Sequence, residues 1–236
     1  MKPFEVRGEV DVHEVDYNGI AKTSSIMKYI QTAAQSQLTE RGYSYDGLLS
    51  MSRAFILSKF RLEIAAPLHA YAPYKAISFP CESRGYSFLR CYGLECDGVT
   101  VARAVSVWAL IDTESRALVK VDDFELGLPL LPPLDLSLGH IRLPSELTEV
   151  GSYGVHYGDV DRNMHMNNTK YPDMYSNFLP LKGKMISSIT INYQSEAEIG
   201  ERLRVERAES SGRYFFRTTR SDGKVNSLAE IRLSDI

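Results

Sequence analysis

The sequence predicts an α+β protein made of two similar halves, each a curled antiparallel sheet laid around one helix. Three observations carry this expectation: an internal repeat, one amphipathic helical stripe in each copy, and four strand-like runs after each stripe.

The repeat comes first. At an offset of 145, Asp16 falls on Asp161 and Asn18 on Asn163. Beyond them Ile26, Tyr29, Ile30 and Ala33 fall on Tyr171, Met174, Tyr175 and Phe178. Both sets recur at i, i+3, i+4 and i+7, the stripe of a helix lying on a core. At an offset of 127, Ser83, Gly85, Phe88 and Arg90 meet Ser210, Gly212, Phe215 and Arg217. At 125, Asp97-Gly98 meets Asp222-Gly223. The shrinking offset implies a shorter helix and loop in the second copy.

Each copy opens with a strand. The first helix begins with Thr23 or Ser24 as its N-cap and stops near Gly42, its stripe continuing through Ala34 and Leu38. The second begins near Asn168 and ends before Pro180, with Pro172 in its first turn, where a missing N–H costs little. Strands are expected at Ala54–Ile64, Tyr74–Glu82, Ser87–Glu95 and Thr100–Ile111. Their later counterparts are Ile186–Tyr193, Arg202–Ala208, Tyr214–Thr219 and Val225–Leu233. The two Asp-Gly pairs read as tight hairpin turns. The Pro-rich stretch from Pro129 to Pro144 joins the copies. The expected division is an N-terminal domain over residues 1–130, a linker over 131–145 and a C-terminal domain over 146–236.

Composition narrows the function classes. Hydrophobic content of 44% supports a packed core. A net charge of −3 lacks the basic excess that nucleic-acid binding needs, so no nucleic-acid partner is expected. Cys81, Cys91 and Cys96 are odd in number and form no zinc pattern; they read as free thiols in a reducing compartment. The N-terminus lacks an apolar signal core. No apolar run approaches the ~20 residues that span a bilayer, and the richest, Leu126 to Leu136, is broken by three prolines. The expectation is a cytoplasmic protein without membrane contact, in which the Asn167-Asn168-Thr169 sequon is accidental.

The chemistry concentrates in residues 159–171. Asp161, Asn163 and His165 occupy alternate positions, which in extended backbone would put all three side chains on one side, next to a helix start with free N–H groups. An acid, an amide and an imidazole there suit carbonyl polarisation and water activation. The first copy has Ile20 in place of His165, and Lys22 and Thr23 in place of Asn167 and Asn168. An imidazole in one copy alone points to a single site in the second half. A calcium-loop reading of Asp159-x-Asp161-x-Asn163 fails, because Met164 and Lys170 stand where Gly and Glu are required. A zinc site from His156, His165 and Asp159 has no supporting motif. No G-x-S-x-G elbow, P-loop or dinucleotide fingerprint is present, and no metal or cofactor is expected.

The stretch Asp161-x-Asn163-x-His165-x-Asn167-Asn168-x-Lys170-Tyr171 resembles the signature of the acyl-acyl carrier protein (acyl-ACP) thioesterases of plant plastids and bacteria. Ile56-Leu57-Ser58-Lys59-Phe60-Arg61-Leu62-Glu63-Ile64 resembles their strand after the first helix, and Asn192-Tyr193-Gln194-Ser195-Glu196 a segment of their second half. The resemblance covers essentially the whole chain. It implies two tandem hotdog domains and hydrolysis of the thioester between a fatty acyl chain and its carrier protein. It carries Asp161, Asn163, His165 and Glu196 over as catalytic residues. Plant members have a cysteine directly after that glutamate; here it is Ala197. The resemblance therefore favours water activated by His165 and Glu196 over a thiol nucleophile. Asp161 either orients its neighbours or makes a local hydrogen bond.

An acyl chain needs an apolar slot. Ile26, Tyr29, Ile30, Phe55, Leu57, Met164 and Met166 are its candidate linings, alongside their plain reading as core. Arg162, Lys170, Lys182 and Lys184 are candidates for steering an acidic carrier protein. An acyl-CoA thioesterase and a noncatalytic acyl-binding hotdog module are the rival readings. Because two copies share one chain, monomer and homodimer both remain open.

Overall fold

The computed structural model describes residues 2–236. Its first half contains β1 (Phe4–Glu9), α1 (Thr23–Glu40), α2 (Tyr45–Ser50), β2 (Arg53–Ile64), β3 (Pro73–Pro80), β4 (Phe88–Cys96), β5 (Val99–Asp112) and the short β6 (Leu118–Val119). Its second half contains β7 (Thr148–Gly154), α3 (Tyr171–Ser176), β8 (Lys184–Tyr193), β9 (Arg202–Ser210), β10 (Arg213–Thr219) and β11 (Val225–Asp235). The eight strands given bounds from the sequence lie where they were expected, within a few residues at each end.

All strands join one sheet, in the order β1-β3-β4-β5-β2-β8-β11-β10-β9-β7, with β6 on β5. Read outward from the centre, the two halves have the same order. They meet where β2 and β8 pair antiparallel, Phe60 opposite Ile191 and Leu62 opposite Ile189. Arg61 lies opposite Thr190, its own counterpart in the other copy, so a pseudo-twofold axis passes between them.

The helices differ more than the strands. α1 has 18 residues and buries Ile26, Met27, Ile30, Ala33 and Ala34 against the sheet. Thr23 is its first helical residue and not its cap; Lys22 holds the cap position without a side-chain bond. The C-terminus closes as expected at Gly42, whose φ is +85, with Gly42 N–H donating to the Thr39 carbonyl and Tyr43 N–H to that of Leu38. In the second half a 3₁₀ turn at Asn168–Lys170 precedes an α3 of only six residues. Tyr171, Met174 and Tyr175 of the predicted stripe are buried, and Tyr175 packs on Phe216 with ring centroids 4.8 Å apart.

One core runs through both halves and includes Phe60, Leu62, Tyr92, Ile189, Ile191 and Phe216. The Pro-rich stretch crosses the outer face of the first half, where Leu136 covers Cys81, Cys91 and Val105. No described helix is long and apolar enough to cross a membrane.

The strand register corrects one block of the repeat. Tyr92 pairs with Ala104, and Phe216 with Ala229, which makes Tyr92 and Phe216 counterparts. Arg90 therefore corresponds to Tyr214 and not to Arg217. Arg217 faces the other way and forms two hydrogen bonds to Glu206. The matching letters at this block are therefore out of structural register, and the irregularities at Leu94/Glu95 and Thr218/Thr219 fall at equivalent places in the two halves.

Phe60 is fully buried at the junction of the halves. Phe60→Ala is expected to cost about 3–5 kcal/mol, read as a lower midpoint in denaturant unfolding. A loss below about 1 kcal/mol would show that this junction is not a shared core.

Candidate active site at the junction of the two halves

The local fold around Asp161 is a tight turn, which corrects the extended backbone expected there. Asp161 N–H donates to the His165 carbonyl, and Met164 N–H to the Asp161 carbonyl. Asp161 Oδ1 accepts from Asn163 N–H at 2.8 Å, an Asx-turn contact. Met164 takes the left-handed conformation at φ +63 that the turn requires. The first copy builds the same turn: Asp16 Oδ1 accepts from Asn18 N–H at 2.8 Å, and Gly19 has φ +75. The aspartate thus makes the turn in both copies, with or without an imidazole.

The two asparagines reach across the junction in opposite directions. Asn18 donates to the Leu181 carbonyl of the second half at 2.9 Å. Asn163 Oδ1 accepts from the Tyr45 hydroxyl of α2 at 2.5 Å, which leaves its amide N–H groups pointing away from Tyr45. Arg162 stacks over the Tyr45 ring and pairs with Asp46 at 2.8 Å, so this cation is already engaged.

His165 is brought to Glu196 by backbone pairing. Met166 N–H donates to the Ala197 carbonyl, and His165 bridges Glu198. Nε2 of His165 lies 3.6 Å from Oε2 of Glu196, longer than a direct hydrogen bond and short enough for both to reach one water molecule. In the first half Ala21 N–H makes the equivalent bond to the Leu68 carbonyl. Ile20 and Pro67 therefore stand where the second half has His165 and Glu196. Arg116, from the turn after β5, comes within 3.8 Å of Glu196 and was not legible in sequence, because the contact joins residues eighty apart in the chain.

The helix start is more occupied than expected. Asn167 Oδ1 accepts from Thr169 N–H, and the Asn167 carbonyl from Lys170 N–H. Among the described residues the Asn168 N–H is the one in this turn with no acceptor.

A cavity of about 950 Å³ opens beside this turn. Its wall includes Asn163, Asn167, Thr169 and Lys170 of the second half. Most of it belongs to the first half: Gln31, Ala34 and Leu38 of α1, Leu48 of α2, Phe55, Phe88, Arg90 and Trp108 of the sheet, and Phe124 to Leu128 of the following segment. Of the seven residues expected to line it, only Phe55 does. Ile26, Tyr29, Ile30, Leu57 and Met166 are packed in the core instead. Tyr29 stacks on Tyr74 and donates to Glu14, and Ile26 borders a separate, smaller cleft. Met164 is 55% exposed on the turn. The cause is one of faces: the most apolar stripe of α1 packs against the sheet, and the cavity uses the neighbouring, more polar face. His165 and Glu196 sit beside the cavity and not in its wall.

Cys81 also borders the cavity. A hydrogen bond to Cys91 and burial raise its thiol well above the usual cysteine range, so it stays protonated. All three cysteines are free and none adjoins Glu196 in sequence.

A five-stranded antiparallel sheet wrapped around a helix, present twice in one chain and fused through β2 and β8, defines a tandem hotdog protein. Residues 2–126 match the acyl-ACP thioesterase N-terminal domain, and residues 144–234 match the acyl-ACP thioesterase C-terminal domain. The chain belongs to the acyl-ACP thioesterase family. It is 22% identical over 215 residues to a chloroplastic oleoyl-acyl carrier protein thioesterase of Coriandrum sativum, covering 80% of this chain and 58% of that relative. Among solved structures it superposes on an acyl-ACP thioesterase from Bacteroides thetaiotaomicron with a TM-score of 0.86, at 18% identity, covering 98% of each chain. A 12:0-ACP thioesterase from Umbellularia californica gives a TM-score of 0.85 at 17% identity, covering 99% of this chain and 98% of that one.

Tyr45→Phe removes the bond that ties α2 to Asn163. It is expected to speed amide hydrogen exchange across residues 161–165 while changing global stability by less than about 1 kcal/mol. Unchanged exchange would show that Tyr45 does not hold the turn.

Proposed function

We propose that the chain hydrolyses the thioester of a fatty acyl chain on acyl carrier protein, releasing the free fatty acid. The supporting observation is the approach of His165 to Glu196 beside a cavity with room for an acyl chain, in a copy of the fold whose twin has neither residue. The acyl chain occupies the cavity of the first half. The thioester carbonyl lies at the turn, where the Asn163 amide and the Asn168 N–H donate to its oxygen as negative charge develops.

The reaction runs through water. Glu196 and His165 hold the water, and His165 takes its proton as the oxygen attacks the carbonyl carbon. The tetrahedral oxyanion then collapses, the carbon–sulfur bond breaks, and the imidazolium returns the proton to the departing pantetheine thiol. Asp161 serves as a positioning residue, shaping the turn that aims Asn163 and His165. The carrier protein approaches the side of the half-buried Lys170, with the exposed Lys182 and Lys184 contributing long-range attraction.

His165→Ala and Glu196→Ala are each expected to lower turnover of long-chain acyl-ACP by about 10²–10⁴-fold while the protein stays folded. Near-wild-type turnover in either folded variant would end this mechanism. Running the same acyl groups on CoA separates a carrier-protein enzyme from a CoA enzyme. Ala197→Cys is expected to gain no sensitivity to thiol reagents, since the attacking group is water; inactivation by iodoacetamide would point to a thiol route.

A further inference from the structure

The cavity of the first half contains a buried cation that an ordinary fatty acyl chain cannot satisfy. Arg90 is 6% exposed, lies in the cavity wall, and has no carboxylate within ion-pair distance among the described residues. Its Nη1 donates to Gln37 Oε1 at 2.7 Å and to Ser78 Oγ at 2.8 Å. Its Nε and Nη2 have no hydrogen-bond acceptor among the described residues. Glu82, the nearest wall carboxylate in sequence, is largely exposed and pairs with Arg84.

A second unpaired donor lies in the same wall, and this one is buried outright. Gln31 Nε2 is buried without any partner, and Gln31 is part of the same wall. Behind the sheet floor lies a further polar cluster: the Trp108 indole N–H donates to Ser106 Oγ at 2.7 Å, and Ser106 also contacts the Tyr92 hydroxyl at 3.0 Å. Burying a guanidinium without a counter-charge is among the more expensive arrangements a core can hold, and unpaired buried donors add to the cost. A cavity meant only for methylenes needs neither. The counterpart of Arg90 in the other half is Tyr214, so the fold itself does not require a cation at this position.

We propose that this cavity selects acyl chains carrying an acceptor oxygen remote from the thioester, a hydroxyl or a carboxylate, which Arg90 and Gln31 bind. The inference rests on the reading of this cavity as the acyl site. It names the chain chemistry that fills the donors left over: the guanidinium offers Nε and Nη2, and Gln31 offers an amide N–H.

The test compares chains of equal length, unsubstituted, ω-hydroxylated or ω-carboxylated, over a range of lengths. Binding is measured by calorimetry on wild-type protein with acyl-pantetheine analogues whose thioester is replaced by an amide. Turnover is measured with the corresponding acyl-ACPs. At some length one oxygenated chain is expected to bind at least about tenfold more tightly than the unsubstituted one, a floor well below what a fully matched buried polar site can give. Whether the hydroxyl or the carboxylate gives the larger factor identifies the source of the oxygen. Arg90→Met should abolish the preference. Gln31→Leu, which breaks no hydrogen bond within the protein, should narrow it. Equal or tighter binding of the unsubstituted chain to wild-type protein at every length would overturn the proposal. A binding preference without turnover of any acyl-ACP would leave this inference standing and count against the hydrolytic function; turnover without the preference would do the reverse.

Discussion

The backbone ladder between β2 and β8 is the constraint on which the rest depends. Each copy of the fold ends its sheet with a strand whose unpaired edge would invite association with another chain. Here the two edges belong to one polypeptide and pair with each other, Arg61 opposite Thr190 at the centre. That pairing makes one sheet of two and lets one core run beneath both. It also brings the turn of each copy against the other half. The Asn163–Tyr45 and Asn18–Leu181 contacts are the same turn used twice, once in each direction across the pseudo-twofold axis.

Duplication then permits division of labour. The turn is common property: Asp16 and Asp161 make it with the same bond, the side-chain Oδ1 accepting from the backbone N–H two residues on. What differs is what hangs from it. The first copy pairs Ile20 with Pro67, and the second pairs His165 with Glu196. The helices diverge in the same sense. α1 is three times the length of α3, and the larger cavity lies beside it. One half holds the volume and the other the His165–Glu196 pair, and the cavity reaches the second half at Asn163 and Lys170.

The cavity wall is a compromise between packing and binding. A helix has one best apolar stripe, and burying it against the sheet stabilises the domain most. Ile26 and Ile30 are therefore spent on the core. The cavity inherits the next face round, with Gln31, Ala34, Gln35 and Leu38. Its sheet floor alternates Phe88, Arg90 and Tyr92, whose side chains share the inner face because strand residues alternate. Polar groups in that floor make the cavity more discriminating than its size suggests.

Much of this was legible before any coordinates. Strand positions follow from alternation and turn chemistry, which are local, and the repeat follows from the spacing of Asp16 and Asn18 with Asp161 and Asn163. The difference between the halves was readable too, because Ile20 stands where the second copy has His165. The sequence alone thus determined the duplicated α+β plan, the strand bounds and the one segment in which an acid, an amide and an imidazole stand together. Three things required the folded chain. The turn at Asp161 replaced the extended backbone expected there, because its Asx hydrogen bond competes locally with strand geometry. Arg116 and Tyr45 joined the site because contact between distant segments has no local signature. The wall of the cavity was decided by which helix face the sheet claimed first. Periodicity reports that a residue wants to leave water; only tertiary packing decides whether another side chain, or a ligand, takes the water's place.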